Sequence, residues 1–139
     1  MTISEREKQF NEASRNLNNA SEILRTKANK KDGYYHDTKY TRMACGTAYN
    51  AVLLALDTYL LMKGKPKNKQ RKSVEYYQLA LSKIDLKVLQ FYNSTYYTLH
   101  LNGYYEGLTD YELIRVAFIK AAAIINQIKP EGVANLEVN

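Results

Sequence analysis

The sequence predicts an all-α protein, an up-and-down bundle of four main helices with one short extra helix. Apolar residues recur at intervals of three and four along most of the 139-residue chain, which is the period of a helix packed on one face. The connections between these segments are short, and short connections favour antiparallel neighbours. No segment predicts a strand, and there is no internal repeat.

The first helix is predicted from about residue 4 to residue 29. Ser4 and Glu7 have the spacing of a capping box, in which each side chain bonds the other residue's backbone. An apolar stripe follows at helical spacing: Phe10, Ala13, Leu17, Ala20 and Leu24. The segment ends at Gly33, because glycine takes positive φ easily and the preceding lysines suit the negative end of the helix dipole.

The second helix is predicted from about residue 34 to residue 63, and it is apolar on nearly every side, which is typical of a central helix. Small residues form a ridge along it: Ala44, Ala48, Ala51 and Ala55. Asp57 is the one acid within its apolar stretch. Two interpretations of Asp57 stay open: a position at the rim of the bundle, or a hydrogen bond from a tyrosine of another helix.

Two shorter segments follow, and the sequence leaves open whether they form one kinked helix. A third helix is predicted from about residue 73 to residue 83, and Asp85 is a suitable N-cap for a fourth. Gly103 to Gly107 is predicted as a turn. Thr109 and Glu112 have the spacing of a second capping box, which opens the last helix.

Pro130 ends the last helix, so residues 1–130 form one predicted domain and residues 131–139 a loose tail. The longest apolar run spans six residues, far short of the roughly 18 to 20 of a spanning helix. The N-terminal segment is charged and lacks the apolar core of a signal peptide. A single cysteine, Cys45, excludes an internal disulfide. We therefore expect a cytoplasmic protein that does not associate with membranes.

The net charge of +6 comes from one loop between residues 63 and 72, which holds six cations and no acid. Its candidate contacts to nucleic acid or an acidic partner are Lys65, Lys67, Lys69 and Arg71. The alternative is a solvated linker between helices. No aromatic residue interrupts the run, so bases have nothing to stack on, and any nucleic-acid binding is expected to be weak and non-specific.

Residue types that carry catalysis or hold metals are scarce. A metal site in a bundle needs carboxylates three residues before histidines, and the positions three before His36 and His100 hold Gly33 and Tyr97. Cys45 has no histidine within a turn and resembles a small buried apolar residue. We therefore expect no metal, no cofactor and no catalytic residue.

Polar groups gather on one face near the end of the fourth helix. Asn93, Tyr97, His100 and Tyr104 follow at intervals of four, three and four, so they share a face of a regular α-helix. Buried tyrosine hydroxyls seek hydrogen-bond partners, and tyrosine is enriched at interfaces. This face is therefore a candidate polar pocket or interface.

Two stretches of the chain resemble the HEPN superfamily of helical bundles over about residues 5 to 129. One is the segment from Tyr34 to Gly64, which resembles the central HEPN helix. Its core is Thr41-Arg-Met-Ala-Cys-Gly-Thr-Ala-Tyr-Asn-Ala51, with the Ala-Tyr-Asn element of that helix, and like that helix it ends near a glycine, Gly64. The other is Tyr97-Thr-Leu-His-Leu-Asn-Gly-Tyr-Tyr-Glu-Gly107, which is similar to small bacterial proteins of this shape.

The resemblance implies a homodimer, with a nucleotidyltransferase-like protein or an antitoxin as a possible partner. Active members of the superfamily are ribonucleases that carry an arginine four to six residues before a histidine. His100 and His36 have no arginine at that distance. We therefore expect a non-catalytic, dimeric binding or scaffold module. The alternative is an RNA-processing or toxin-like ribonuclease of a toxin–antitoxin pair.

Overall fold

The protein is mostly helical, as predicted. A computed structural model describes residues 1–65 and 72–138. Within these residues the α-helices are α1 (Ile3–Lys27), α2 (Thr38–Met62), α3 (Val74–Ser82), α4 (Leu86–Thr95) and α5 (Tyr111–Ile125). A π-helix, Tyr96–Tyr105, continues α4, and a 3₁₀-helix, Asn126–Ile128, continues α5.

A short β-hairpin separates α1 from α2, which corrects the prediction that the chain has no strand. Its strands, β1 (Lys30–Lys31) and β2 (Tyr34–Tyr35), pair antiparallel. Asp32 and Gly33 form the turn with φ values of 55° and 83°. The backbone N–H of Tyr35 also donates to the carbonyl of Thr109 at 2.8 Å. Because Tyr34 and Tyr35 are used in the strand, α2 begins at Thr38 and not at residue 34 as predicted.

Two of the predicted helix caps are wrong by one or two residues. At α1 the capping box joins Thr2 and Glu5, with N–H···O distances of 3.0 and 2.9 Å, and not Ser4 and Glu7. At α5 the cap is Asp110, whose carboxylate accepts from the N–H of Leu113 at 2.9 Å. The predicted pair was Thr109 and Glu112. The Thr109 carbonyl is instead used by the hairpin, and the Glu112 side chain pairs with Arg115.

The helices α3 and α4 are separate. Asp85 caps α4 as predicted, since its carboxylate accepts from the backbone N–H groups of Lys87 and Val88, both at 3.1 Å. The other carboxylate oxygen accepts from the hydroxyl of Tyr59 at 2.8 Å. One acid therefore both starts a helix and satisfies a buried tyrosine of α2.

Helix α2 is the centre of the bundle and packs against α1, α5 and the π-helix. Its predicted alanine ridge is fully buried: Ala44, Ala48, Ala51 and Ala55. By length and composition α2 is also apolar enough to cross a membrane, but 56% of its most apolar window is buried inside the fold, as in the core helix of a bundle. Asp57 accepts a hydrogen bond from the Tyr77 hydroxyl at 2.8 Å, the second of the two interpretations.

The two ends of the chain are joined to the domain. Arg6 of α1 donates from Nε to the carbonyl of Ile128 at 3.0 Å and from Nη2 to that of Lys129 at 2.6 Å. Further on, the Asn126 side chain bonds both the N–H and the carbonyl of Leu136, at 2.8 and 2.9 Å. The residues after Pro130 thus contact the bundle, where the sequence predicts a loose tail.

A test of the packing between α2 and the π-helix is Gly103→Ala. The added Cβ would lie 2.6 Å from Sγ of Cys45 and 2.7 Å from its Cβ, so the two helices must separate. We expect the free energy of unfolding, measured by chemical denaturation, to fall by about 1–3 kcal/mol. Asn102→Ala at the neighbouring exposed position is the control, with an expected change within about 0.5 kcal/mol. Equal stability of Gly103→Ala and wild type would contradict this packing.

Candidate functional site

The π-helix is the main irregularity of the bundle, and its last three residues lie where the sequence predicts a turn at Gly103 to Gly107. The N–H of Glu106 donates to the carbonyl of Leu101, five residues back, at 3.0 Å. The N–H of Leu108 reaches the carbonyl of Asn102, at 2.7 Å. The helix thus continues to Tyr105 and ends before Gly107, whose φ is 73°. Helices of the π type are rare in proteins, and those that occur are often found at functional sites.

His100 lies at the centre of a cluster of tyrosine rings. Its imidazole stacks on Tyr49 of α2, with ring centroids 4.6 Å apart, and on Tyr96, at 5.6 Å. Tyr104 is almost parallel to it at 6.3 Å, and Tyr105 meets it edge-on at 5.0 Å. The wide turn of the π-helix places Tyr96, His100 and Tyr104 above one another on the side that faces α2.

The buried end of this cluster is closed by tyrosines whose hydroxyls are hydrogen-bonded. The hydroxyls of Tyr49 and Tyr92 lie 3.0 Å apart, and Tyr77, whose ring packs against Tyr92, donates to Asp57. Burial raises the pKa of Tyr49, Tyr92 and Tyr77. These phenols are therefore neutral near pH 7 and act as structural hydrogen-bonding groups.

The environment of His100 favours the neutral imidazole. Burial lowers its pKa from the ordinary value of 6.5. Among residues 1–65 and 72–138 the ring makes aromatic contacts but no hydrogen bond or ion pair. A general base is normally oriented by a hydrogen bond from a third group, and the described part of the chain supplies none to His100.

The four residues of the predicted polar face are only partly brought together. His100 and Tyr104 stack, and Tyr97 contacts the cluster through Tyr96, with centroids 5.4 Å apart. Asn93 lies away from them and accepts a hydrogen bond from Gln78 of α3 at 3.0 Å.

Sequence reasoning missed three members of the cluster: Tyr49, Tyr96 and Tyr105. The spacing of four between Tyr96, His100 and Tyr104 is a signal that was available in the sequence. Tyr49 comes from another helix, and no local pattern indicates its contact with His100.

The cluster opens onto a surface that we call the aromatic face. Its π-helix residues, Tyr97, Tyr104 and Tyr105, contact members of the cluster, and its α2 residues are Gly46, which touches Tyr104, and Met43 and Asn50, one helical turn on either side of Gly46. The three tyrosines are 56%, 46% and 58% exposed, and Met43 is 44% exposed. Gly46 joins the two helices, since a Cβ at this position would lie 2.8 Å from the Tyr104 ring.

The predicted basic contact surface lies mostly outside the described residues, which is where Lys67, Lys69 and Arg71 fall. Lys65 is half-buried, and its backbone N–H donates to the carbonyl of Leu60 at 3.0 Å. Residues 1–65 and 72–138 contain no group of three histidine, cysteine or acidic side chains that could hold a metal ion.

Residues 8–130 match a family model described as "Domain of unknown function (DUF5618)". The chain belongs to this family. A solved structure of a protein of unknown function from Dyadobacter fermentans is similar to this DUF5618 chain, with 41% sequence identity and a TM-score of 0.80. The match covers 92% of this chain and 97% of the other. No curated protein matches the sequence significantly.

The lowered pKa of His100 gives a prediction for this DUF5618 protein. In His36→Gln only one imidazole remains, and NMR titration should place its midpoint below 6.5, the value of an unburied histidine. At a pH between the lowered pKa of His100 in the folded protein and its ordinary pKa in the unfolded chain, the unfolded chain binds more protons than the folded one. The contribution of His100 to stability is therefore present above about pH 6.5 and decreases as the pH falls through that window. A midpoint at or above 6.5 would contradict the burial of the ring.

Proposed function

We propose that the protein is a non-catalytic binding or scaffold module that forms a homodimer through the aromatic face, in the manner of HEPN-like bundles. The observation that carries this proposal is the exposure of three tyrosines and Met43 beside the His100 ring cluster. A buried ring cluster fixes the positions of these tyrosines, so little conformational freedom is lost when they meet a partner.

The absence of charge on the aromatic face supports a second copy of the chain as the partner. All six residues of the face are uncharged, although the chain carries 20 basic and 14 acidic residues and a net charge of +6. Two copies carry the same charges at the same positions, so charged residues that meet their own counterparts across an interface repel one another. A twofold interface places the same patch on both sides, so an uncharged patch avoids contacts between like charges.

The composition of the aromatic face also suits the centre of a protein interface. Tyrosine and methionine are enriched in such centres, and lysine, glutamate and aspartate are depleted. Two exposed charged residues adjoin the face in sequence, Arg42 next to Met43 and Glu106 next to Tyr105.

The surroundings of His100 support a role other than catalysis. Its ring is held by four aromatic neighbours, and no charged side chain of the described residues acts on it. A partner protein such as an antitoxin or a nucleotidyltransferase-like protein would then bind the dimer through other surfaces.

Sedimentation equilibrium at about 50 μM, a concentration at which micromolar affinity gives mostly dimer, tests this proposal. Wild type is expected to show twice the 16.0 kDa chain mass. Tyr97→Glu and Met43→Glu each place two like charges in a twofold interface and are expected to give monomers. Both positions are exposed, so the monomers should keep the helical circular dichroism of wild type.

Leu86→Glu is the matched control, because Leu86 is equally exposed but lies in the first turn of α4. The distance along the helix to Tyr97 is about 16 Å, and an acid is favourable in a first turn. The control is expected to remain a dimer. A monomeric wild type, or a dimer that survives both glutamate substitutions in the face, would refute the proposal.

A ribonuclease is the second candidate, and the position of Arg42 is the observation that favours it. The Arg42 guanidinium packs against Gly107, since a Cβ added at Gly107 would lie 2.9 Å from Nη2 of Arg42. Gly46, one turn further along α2, touches the Tyr104 ring that stacks on His100. Arg42 therefore lies one helical turn from a residue that touches the cluster, and in this alternative it would take the role of the arginine that is missing next to the histidine in sequence.

Incubation with single-stranded RNA separates the two candidates. The scaffold proposal expects no cleavage above background by the wild-type protein. Cleavage that disappears in both Arg42→Ala and His100→Ala would establish the ribonuclease instead. Cleavage that persists in both variants would come from a contaminant. The sedimentation experiment would then decide whether the scaffold proposal holds.

A further inference from the structure

A second concave surface lies between α1, the hairpin, α5 and the C-terminal residues, and it shares no residue with the aromatic face. It encloses a cavity of about 510 Å³. This volume is within the usual range of about 300–1,000 Å³ for small-molecule sites. Residues Glu137 and Val138 form one wall, next to the two hydrogen bonds that Asn126 makes to Leu136.

The inner part of this cavity is apolar and aromatic. Leu24 of α1 and Phe118 of α5 are largely buried core residues that contribute to its lining. The rings of Tyr35 and Tyr111 form a further wall and meet edge-on, with centroids 5.8 Å apart. Flat apolar molecules bind well against walls of this kind, because ring contacts add to the burial of apolar area.

Three cations also line the cavity: Arg25, Lys30 and Arg115. Arg25 and Arg115 each pair with the glutamate three residues earlier on the same exposed helix face. Such exposed pairs contribute only about 0–1 kcal/mol, so a bound anion can compete for the guanidinium groups. Lys30 has no ion-pair partner among the described residues, and its Nζ lies 3.5 Å above the centroid of the Tyr111 ring.

The lining holds three cations and two acids, Glu22 and Glu137. Glu22 pairs with Arg25, and Glu112, outside the lining, pairs with Arg115, so a bound anion would meet Lys30 directly and compete with Glu112 for Arg115. An anion held by Lys30 and Arg115 would extend an apolar body toward Leu24 and Phe118. From this arrangement of a flat apolar interior and cations at Lys30 and Arg115, we propose that the cavity binds a small aromatic carboxylate.

In the bound state the carboxylate accepts hydrogen bonds from the ammonium of Lys30 and the guanidinium of Arg115. Hydrogen bonds to charged groups are stronger than those between neutral groups. The aromatic ring of the ligand lies against the ring of Tyr111. The hairpin holds the backbone of Tyr111 in place, because the Tyr111 N–H donates to the Gly33 carbonyl at 3.0 Å. The hairpin thus positions both the cation and the aromatic wall of the site.

The test uses the full chain and two probes of equal shape, naphthalene-2-carboxylate and the uncharged 2-naphthamide. Isothermal titration calorimetry is expected to show the carboxylate binding at least about tenfold more tightly than the amide. Lys30→Met and Arg115→Met should each weaken carboxylate binding by about tenfold and leave amide binding unchanged, because they remove a charge but keep an apolar side chain of similar length.

Lys27→Met is the matched control, since Lys27 also lies over a tyrosine ring, that of Tyr40 at 5.3 Å, but outside the cavity. It should bind the carboxylate as wild type does. Thermal unfolding of each variant shows whether the fold is intact. Equal affinity of wild type for acid and amide, no binding of either probe, or an equal loss in Lys27→Met and Lys30→Met would overturn the proposal.

Discussion

The close approach of α2 to the π-helix is the contact on which the rest of the structure depends. It requires a residue without a side chain on each helix. Gly103 leaves the space that Cys45 occupies, and Gly46 leaves the space against which the Tyr104 ring packs. Because the helices meet at this distance, Tyr49 reaches His100 and the ring cluster forms. A wider separation would open the cluster to water and leave its phenols without their buried partners.

Most of the helical core could be predicted because helical periodicity is a local property. The apolar stripe of α1 and the alanine ridge of α2 are buried as the spacing indicates. The positions of helix caps are harder to predict, because the same short residue pattern can occur at more than one place along the chain. Thr2 with Glu5 and Ser4 with Glu7 both satisfy the capping-box spacing, and only the structure shows that the chain uses the first.

The hairpin and the π-helix could not be predicted, because both depend on contacts between distant parts of the chain. Tyr35 bonds Thr109, and Tyr111 bonds Gly33, so the hairpin is held by the segment that precedes α5. The candidate site shows the same limit. A helix face predicted with the α-helical period includes Asn93. The π-helix has wider turns, which direct the residues after Tyr96 toward α2. Asn93 precedes the π-helix and lies beside α3 instead.

The bonds from Arg6 to the carbonyls of Ile128 and Lys129 have a consequence for synthesis of the protein on the ribosome. The first helix cannot complete its contacts until the last residues of the 3₁₀-helix have left the exit tunnel, more than 120 residues later. Until then the apolar stripe of α1 and the core side of α2 lack the cover of α5. The parts of α1 and α2 that α5 covers therefore stay exposed on the nascent chain until α5 emerges, and exposed apolar surface of this kind is what chaperones recognise.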